Sequence, residues 1–440
     1  MSRRRKVKPK VYEISIESLS NEGRGISHYD DKIIFTRGAL PGERVIASRS
    51  LSRAKYEEAD VVDILEPSPD RIKPKCDVYG VCGGCSFQHL SSKNQIYAKQ
   101  SWLKSAFMGQ AKSEPKKWLE PLQAESWGYR RKARLGVRYV EKKEKVLVGF
   151  REKKSSFITL MSRCEVLHPS LGDNLELLGE CIGKLSIKMH VPQIEVAIAE
   201  LDTILILRHL QPMTKEDESI LKEYGDKLAI TWYTQSGGLE TIKPLINSVL
   251  LTYSIPDHNI NMTFLPNDFT QVNFALNQKM INLAIELLDL NEDDEVIDLF
   301  CGLGNFTLPI SRYVKRIVGI EGDSGLVERA NENAKMNGVS NASFYKANLF
   351  EDVSGFEWFR GRQYNKALID PARTGAIEIV ELLPKLGVEK LVYVSCNPAT
   401  LARDTARLVE LGFSLISAGV MDMFPQTAHV ESIALFIRKK

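Results

Sequence analysis

Between positions 11 and 66, apolar and polar residues alternate in short runs. Val11-Tyr12-Glu13-Ile14-Ser15-Ile16 leads to a Gly23-Arg24-Gly25 turn, and Lys32-Ile33-Ile34-Phe35 leads to Pro41-Gly42. Arg44-Val45-Ile46-Ala47 and the run 59–65 follow. Period-two alternation punctuated by turn residues predicts a small β-barrel over 11–68. Pro67, Pro69 and Pro74 mark a linker. Beyond it, 92–112 reads as an amphipathic helix able to pack on a later domain, and 126–258 as a strand-rich stretch. Together they make a central α+β domain over 75–258. From about 259 the pattern changes. Helix-like stretches at 281–290 and 325–336 alternate with strand-like runs at 295–300, 316–320, 342–345, 367–369, 391–394 and 432–437. Such alternation predicts a doubly wound, mostly parallel sheet over 259–440, and a multidomain α/β fold class.

Length agrees, since 440 residues exceed one ordinary core. The longest apolar runs, at 204–207 and 391–394, suit buried strands rather than a membrane span. The basic tail 1–10 carries Arg3, Arg4, Arg5, Lys6, Lys8 and Lys10 without a following apolar stretch. That is not a secretory signal, so a cytoplasmic location is expected, with no membrane. The tail reads equally as a solvated end or as a phosphate-attracting arm. Net charge is only +3, but 126–163 holds twelve Lys/Arg against three Glu, interleaved with Trp127, Tyr129, Tyr139, Phe150 and Phe157. Cations mixed with aromatics favour a nucleic-acid partner over a merely solvated face. No obligate protein partner is indicated.

The chemistry concentrates in the C-terminal half. Leu391-Val392-Tyr393-Val394 delivers Cys396 into Asn397-Pro398, at the carboxyl end of a strand, where open α/β sheets bind ligands. A lone thiol there would ordinarily be a buried core cysteine. Its company argues otherwise. The strand 296–300 runs into Cys301-Gly302-Leu303-Gly304, whose glycines let backbone approach a ligand, and Glu321 ends the next strand, where an acid suits two ribose hydroxyls. Thr307 replaces the third phosphate-cradling glycine. A nucleoside such as S-adenosylmethionine therefore fits better than NAD. Asp370 ends a further strand against Pro371. A cysteine beside a methyl donor suggests methylation at C5 of a pyrimidine, because thiolate addition to C6 makes C5 nucleophilic. Glu431, in His429-Val430-Glu431-Ser432, is the candidate base for the C5 proton, or else a surface strand acid.

Taken together, 298–306 (Asp-Leu-Phe-Cys-Gly-Leu-Gly-Asn-Phe), Asp370-Pro371-Ala372-Arg373, Ser395-Cys396-Asn397-Pro398 and His429-Val430-Glu431-Ser432 resemble the RNA (uracil-C5)-methyltransferase family. The resemblance spans 259–440 and implies a Rossmann-like methyltransferase domain. It also implies Cys396 as nucleophile, Glu431 as proton acceptor, and Gln271, Phe300, Asn305, Glu321, Asn348 and Asp370 around cofactor and target uracil. Residues 11–68 resemble the TRAM domain, an RNA-binding barrel.

Seven cysteines, an odd number, argue against a disulfide framework. Cys76, Cys82 and Cys85 lie within ten residues, with Cys164 remote. Three clustered thiols and one distant thiol suit a [4Fe–4S] cluster better than zinc, and the resemblance supports those four ligands. Cys181 is the alternative fourth ligand, and His89 a weaker one. Barrel plus cysteine cluster resembles the branch that modifies 23S ribosomal RNA. Transfer RNA as substrate, a non-catalytic RNA-binding protein and an iron–sulfur redox protein are the competing readings.

Overall fold

The computed structural model describes residues 10–438; all but the last residue of the basic tail 1–10 lies outside them. Packing gathers the chain into two compact units. Among the described residues, one holds 10–102 with 151–157 and 424–429; the other holds 103–150, 158–423 and 430–438. The segment 75–258 thus contributes to both. Among the described residues no helix is long and apolar enough to cross a membrane.

The first unit is built on six strands: β1 (Val11–Ser15), β2 (Ser18–Leu19), β3 (Gly25–Tyr29), β4 (Lys32–Arg37), β5 (Arg44–Ser52) and β6 (Tyr56–Glu66). Their order is β1-β5-β6-β4-β3-β2. The two ends of that order, β1 and β2, are consecutive in the chain. Glu17 N–H donates to Ile26 O at 2.8 Å, so the strip bends from β5 across to β3 and closes the sheet. Bulges where β5 meets β6 supply the coiling that closure needs. Tyr12, Ile14, Ile34, Val45, Ala47 and Ala59 fill the interior, which is the alternation read from sequence. Under the barrel, buried Glu43 accepts from Arg71 Nη2 at 2.8 Å and from the Leu40 N–H at 2.8 Å. The cysteine segment follows. The helix Ser92–Ala106 begins in this unit, where Gln95 Nε2 donates to Phe87 O, Leu90 O and Gln426 Oε1.

The second unit contains β7 (Lys117–Trp118) and a mixed sheet of β8 (Lys132–Val140), β9 (Lys145–Gly149), β10 (Gln193–Ile198), β11 (Thr203–Arg208), β12 (Thr231–Gln235) and β13 (Lys243–Pro244). A hairpin of β14 (Leu251–Ile255) and β15 (Ile260–Phe264) comes next. The main sheet then adds β16 (Glu295–Leu299), β17 (Arg316–Glu321), β18 (Ala342–Lys346), β19 (Lys366–Ile369), β20 (Lys390–Ser395), β21 (Phe413–Met421) and β22 (Glu431–Arg438). Its order is β18-β17-β16-β19-β20-β22-β21-β7, with β22 antiparallel to both neighbours.

Two helices depart from the sequence pattern. The stretch expected at 281–290 starts earlier, as Phe274–Leu288, because the Asn273 side chain accepts from Leu276 N–H at 3.2 Å and caps it. Asn397-Pro398 begins a helix, Pro398–Glu410, rather than a simple turn. Proline at the first helical position sacrifices only an N–H that has no partner there, and the Asn397 side chain caps Ala399 N–H at 3.1 Å. The expected helix over 92–112 ends in a π turn, Phe107–Ala111, which packs on Pro398–Glu410.

Candidate active site

Five parallel strands, β18, β17, β16, β19 and β20, end at the same edge of the sheet, and antiparallel β22 begins there. The expected residues fall at these ends. Asn348 lies just past β18, Glu321 ends β17, Phe300 follows β16, Asp370 follows β19 and Cys396 follows β20. Ser395 pairs with Ser432, so the next rung sets Cys396 beside Glu431. Ser432 Oγ also donates to Ser395 O at 3.0 Å and holds the two strands together at the site. Glu321 and Cys396 are three strand spacings apart, about 14 Å at ~4.8 Å each. One edge therefore has a glycine-loop half and a thiol half.

On the first half, the Glu321 carboxylate accepts from the Gly302, Gly322 and Asp323 N–H groups at 3.1, 2.7 and 3.0 Å. Gly302 has φ +55°, and a Cβ there would meet nothing within 4 Å, so space stands open above the loop. Phe300, a non-glycine residue, is held at φ +68°, with its own N–H and that of Cys301 both donating to Ile320 O. Left-handed backbone at a bulky residue costs energy and persists where the surroundings over-determine it, typically at ligand sites. Its ring lies 5.9 Å from that of Phe350, which is 47% exposed. Asn348 accepts from Phe350 N–H at 3.2 Å and donates to Glu351 at 2.6 Å, which shapes the loop carrying that ring.

Asp298, within β16, and Asp370, just past β19, are acids between the two halves. Burial pushes both carboxyls up to about 7, with Glu321 adding to the effect on Asp298, and Asp298 to that on Asp370. Thr307 Oγ1 donates to one Asp298 oxygen, while the other is buried without a partner. Carboxyls held near neutrality are stabilised as anions by a cation, and S-adenosylmethionine carries a sulfonium and an ammonium. The residues present fit that group.

On the second half, the Cys396 thiol is pushed up to about 11 by burial first, then by Glu431 and Asp370, with Arg373 opposing. Glu431 itself is 5% exposed. Arg373, to which the sequence reading assigned no role, is thus part of the thiol's environment. It stands in the quoted Asp-Pro-Ala-Arg motif, so the signal was available.

The remaining expected residues are placed less centrally. Asn305 Oδ1 accepts from Tyr253 OH at 3.1 Å and Asn277 Nδ2 at 2.9 Å, and its Nδ2 donates to Asn277 Oδ1, so its amide ties the glycine turn to the helix Phe274–Leu288. Gln271 is half-buried in the loop between β15 and that helix. Lys132 carries this loop, its Nζ donating to Pro266 O at 2.8 Å and to Asp268 O. The basic stretch 126–163 accordingly contains cations of more than one kind. Arg134, Arg138, Lys142, Lys143, Arg151, Lys154 and Arg163 are exposed, whereas Arg130, Arg131 and Lys132 turn onto backbone carbonyls.

The four cluster cysteines are divided, with Cys76, Cys82 and Cys85 in the first unit and Cys164 buried in the second. Cys82 Sγ accepts from Gly84 N–H at 3.4 Å, and Gly83 N–H donates to Arg151 O at 2.8 Å. Cys181 is fully buried on the helix Leu175–Lys184, its thiol pushed up to about 12 by burial. His89 is buried with Nδ1 bonded to Tyr79 OH, and burial lowers it to about 3. Among the described residues no three or more cysteine, histidine, aspartate or glutamate side chains are gathered as a metal site.

Comparison with known proteins shows the family. A family model described as tRNA (Uracil-5-)-methyltransferase matches residues 203–440, and the TRAM domain model matches 6–60. The 23S rRNA (uracil(1939)-C(5))-methyltransferase RlmD of Vesicomyosocius okutanii subsp. Calyptogena okutanii (strain HA) is 65% identical over 439 residues, all of both chains. The chain belongs to the RNA (uracil-C5)-methyltransferase family. The protein of the same name from Alcanivorax borkumensis is 46% identical, again over the full length of both. The fold is shared with the crystal structure of the Pyrococcus abyssi tRNA (uracil-54, C5)-methyltransferase in complex with S-adenosyl-L-homocysteine. That match has a TM-score of 0.75 at 21% identity, covering 97% of this chain and 99% of the other. The TRAM match falls on the six-stranded barrel, as the sequence pattern anticipated.

Proposed function

We propose that this RNA (uracil-C5)-methyltransferase uses S-adenosylmethionine to methylate C5 of a uridine in 23S ribosomal RNA. The observation that carries the chemistry is the shared edge, with the Gly302/Glu321 cradle at one part and Cys396 between Asp370, Arg373 and Glu431 at another. The two full-length relatives carry the choice of RNA. Bound S-adenosylmethionine supplies an electrophilic methyl group, and Glu321, Phe300, Asn348 and Asp370 are the residues assigned to hold it or face it. Gln271 and Asn305 complete the set around cofactor and uracil.

Cys396, after losing its thiol proton to solvent, bonds through Sγ to C6 of the target uracil, which places the electron pair of the C5–C6 double bond on C5 and O4. After C5 has gained the methyl group, with the S–CH3 bond broken and S-adenosylhomocysteine as the leaving group, the Glu431 carboxylate takes the C5 proton. The C5–C6 double bond re-forms and the S–C6 bond breaks, freeing the thiolate. A base inside folded RNA must leave its stack to reach Cys396. The exposed cations of 126–163 and the TRAM barrel serve the RNA backbone. Such a substrate places the activity in the cytoplasm.

A [4Fe–4S] cluster held by Cys76, Cys82, Cys85 and Cys164 belongs to the same reading. Support comes from donor chemistry: three thiols on one short loop, a backbone N–H directed at Cys82, and Lys153 electrostatically paired with Cys82 and Cys85. The activity test incubates the protein with unmodified ribosomal and transfer RNA and labelled S-adenosylmethionine. C5-methyluridine in 23S RNA alone is the expected product. Product only in transfer RNA overturns the ribosomal reading, and none in either overturns the enzyme. Zinc without iron in anaerobically purified protein overturns the cluster.

A further inference from the structure

The nucleophile is followed by a segment that grips its neighbouring loop. Cys396 is succeeded by Asn397 and by the helix Pro398–Glu410. Three groups of this segment bind the loop that carries Asp370 and Arg373. Asn397 Nδ2 donates to Arg373 O at 3.0 Å, Arg403 Nη2 donates to Thr374 O at 2.9 Å, and Asp404 accepts from Ala376 N–H at 2.8 Å. Asp404 is the hub. It is fully buried, accepts from Tyr393 OH at 2.6 Å, and accepts from Arg403 Nε at 2.8 Å. Tyr393 lies on β20, three residues before the nucleophile. Gly375, at φ +79°, allows the close approach, since a Cβ there would lie 2.6 Å from the Asp404 carboxylate and 2.5 Å from the Arg403 guanidinium.

We propose that Asp404 is a positioning residue for the methyl-transfer reaction. It locks the Asp370–Ala376 loop to the strand and helix flanking Cys396, and so sets where the Arg373 charge stands relative to the thiol. The proposal rests on the functional reading above. The charged groups facing Cys396 are Glu431 and Asp370, which disfavour the thiolate, and Arg373, which favours it. Arg373 and Asp370 both ride on the clamped loop, so its looseness alters the balance. Displacing a reacting constellation by about 1 Å costs roughly 100-fold.

The test compares wild type with Asp404→Ala, Tyr393→Phe, Arg373→Gln and the double variant Asp404→Ala/Arg373→Gln. It reads kcat and KM on RNA together with the pH profile of Cys396 labelling by iodoacetamide without RNA. Asp404→Ala is expected to lower kcat about 100-fold, leave KM within about threefold, and move the labelling profile to higher pH. In the Arg373→Gln background the same change should cost less than about threefold and leave the profile in place, because coupled residues are not additive. Tyr393→Phe leaves the loop bonded to Asp404. It should shift both readouts in the same direction by less, and serves if Asp404→Ala does not fold. An equal loss with and without Arg373, or an unmoved labelling profile in Asp404→Ala or Tyr393→Phe, overturns the proposal. Wild type that labels as expected but methylates no RNA would instead defeat the functional reading.

Discussion

Replacing Glu431 by Gln should make Cys396 more reactive while stopping turnover. The thiol stands at about 11 rather than its ordinary 9, with burial the largest cause and Glu431 the next. A rise of that size weighs about 3 kcal/mol against the thiolate, at ~1.4 kcal/mol per tenfold. Burial survives the substitution, since the glutamine is nearly isosteric at a site only 5% exposed. What disappears is the anion, whose part is on the order of a tenfold change in the thiol equilibrium. The sign follows directly: removing a negative neighbour favours the thiolate. Labelling of Cys396 by iodoacetamide at pH 8 should therefore accelerate about three- to tenfold over wild type. With RNA and S-adenosylmethionine the same variant should accumulate a denaturation-resistant protein–RNA adduct, because no carboxylate remains to take the C5 proton. Mass spectrometry of labelled peptide and denaturing gels of the RNA mixture measure the two effects. Labelling no faster than wild type would refute the electrostatic pairing. Faster labelling without adduct would refute the base assignment.

Three other outcomes are expected. Asp298 is raised to about 7, so its protonated form favours folding, and that stability is fully present below about pH 4 and lost as pH rises through 7. Asp298→Asn keeps an acceptor for Thr307, so its melting temperature should exceed that of wild type more at pH 8 than at pH 5; an unchanging difference would contradict this. Lys132→Met removes the ammonium that holds Pro266 O and Asp268 O. RNA KM should rise severalfold, and an unchanged KM in a folded variant would show that the loop holds without it. In the first unit, burial pushes Glu43 up, but Arg71 and the Leu40 and Ser68 N–H groups outweigh it and hold the carboxyl low. Its stability contribution is present above about pH 4.5 and lost as pH falls through the lowered value. Glu43→Gln leaves Arg71 without its anion and should cost about 3 kcal/mol in urea melts, with the loss shrinking toward pH 3.

Much of the site was legible because strand-end chemistry is local. The run 391–395 needs only β-branched and aromatic packing to become a buried strand, and Pro398 to leave it, so Cys396 was placed at an edge before any fold was known. The glycines at 302 and 304 and the acid at 321 were readable for the same reason. Helix starts were less so. Asn273 and Asn397 are caps whose side chains bond within a few residues, yet the same residues also suit turns. In sequence Lys132 is one cation of a basic run; only the fold brings the carbonyls of 266 and 268, over a hundred residues away, to it. Asp404 carried no signal at all, since a helical aspartate beside Arg403 looks like an exposed pair.

Sequence alone determined the inventory: a barrel by alternation, a parallel sheet by the strand–helix rhythm, and a strand-end cysteine, an acid and a glycine loop by motif. Each depends on interactions within about a dozen residues. Tertiary structure decided the order of strands along the edge, and hence that Glu431, arriving last and antiparallel, stands beside Cys396. It also decided which charges oppose one another there. Electrostatic coupling acts through space in a buried, low-dielectric environment, so the character of the Cys396 thiol is a property of the assembled edge rather than of the segment that carries it.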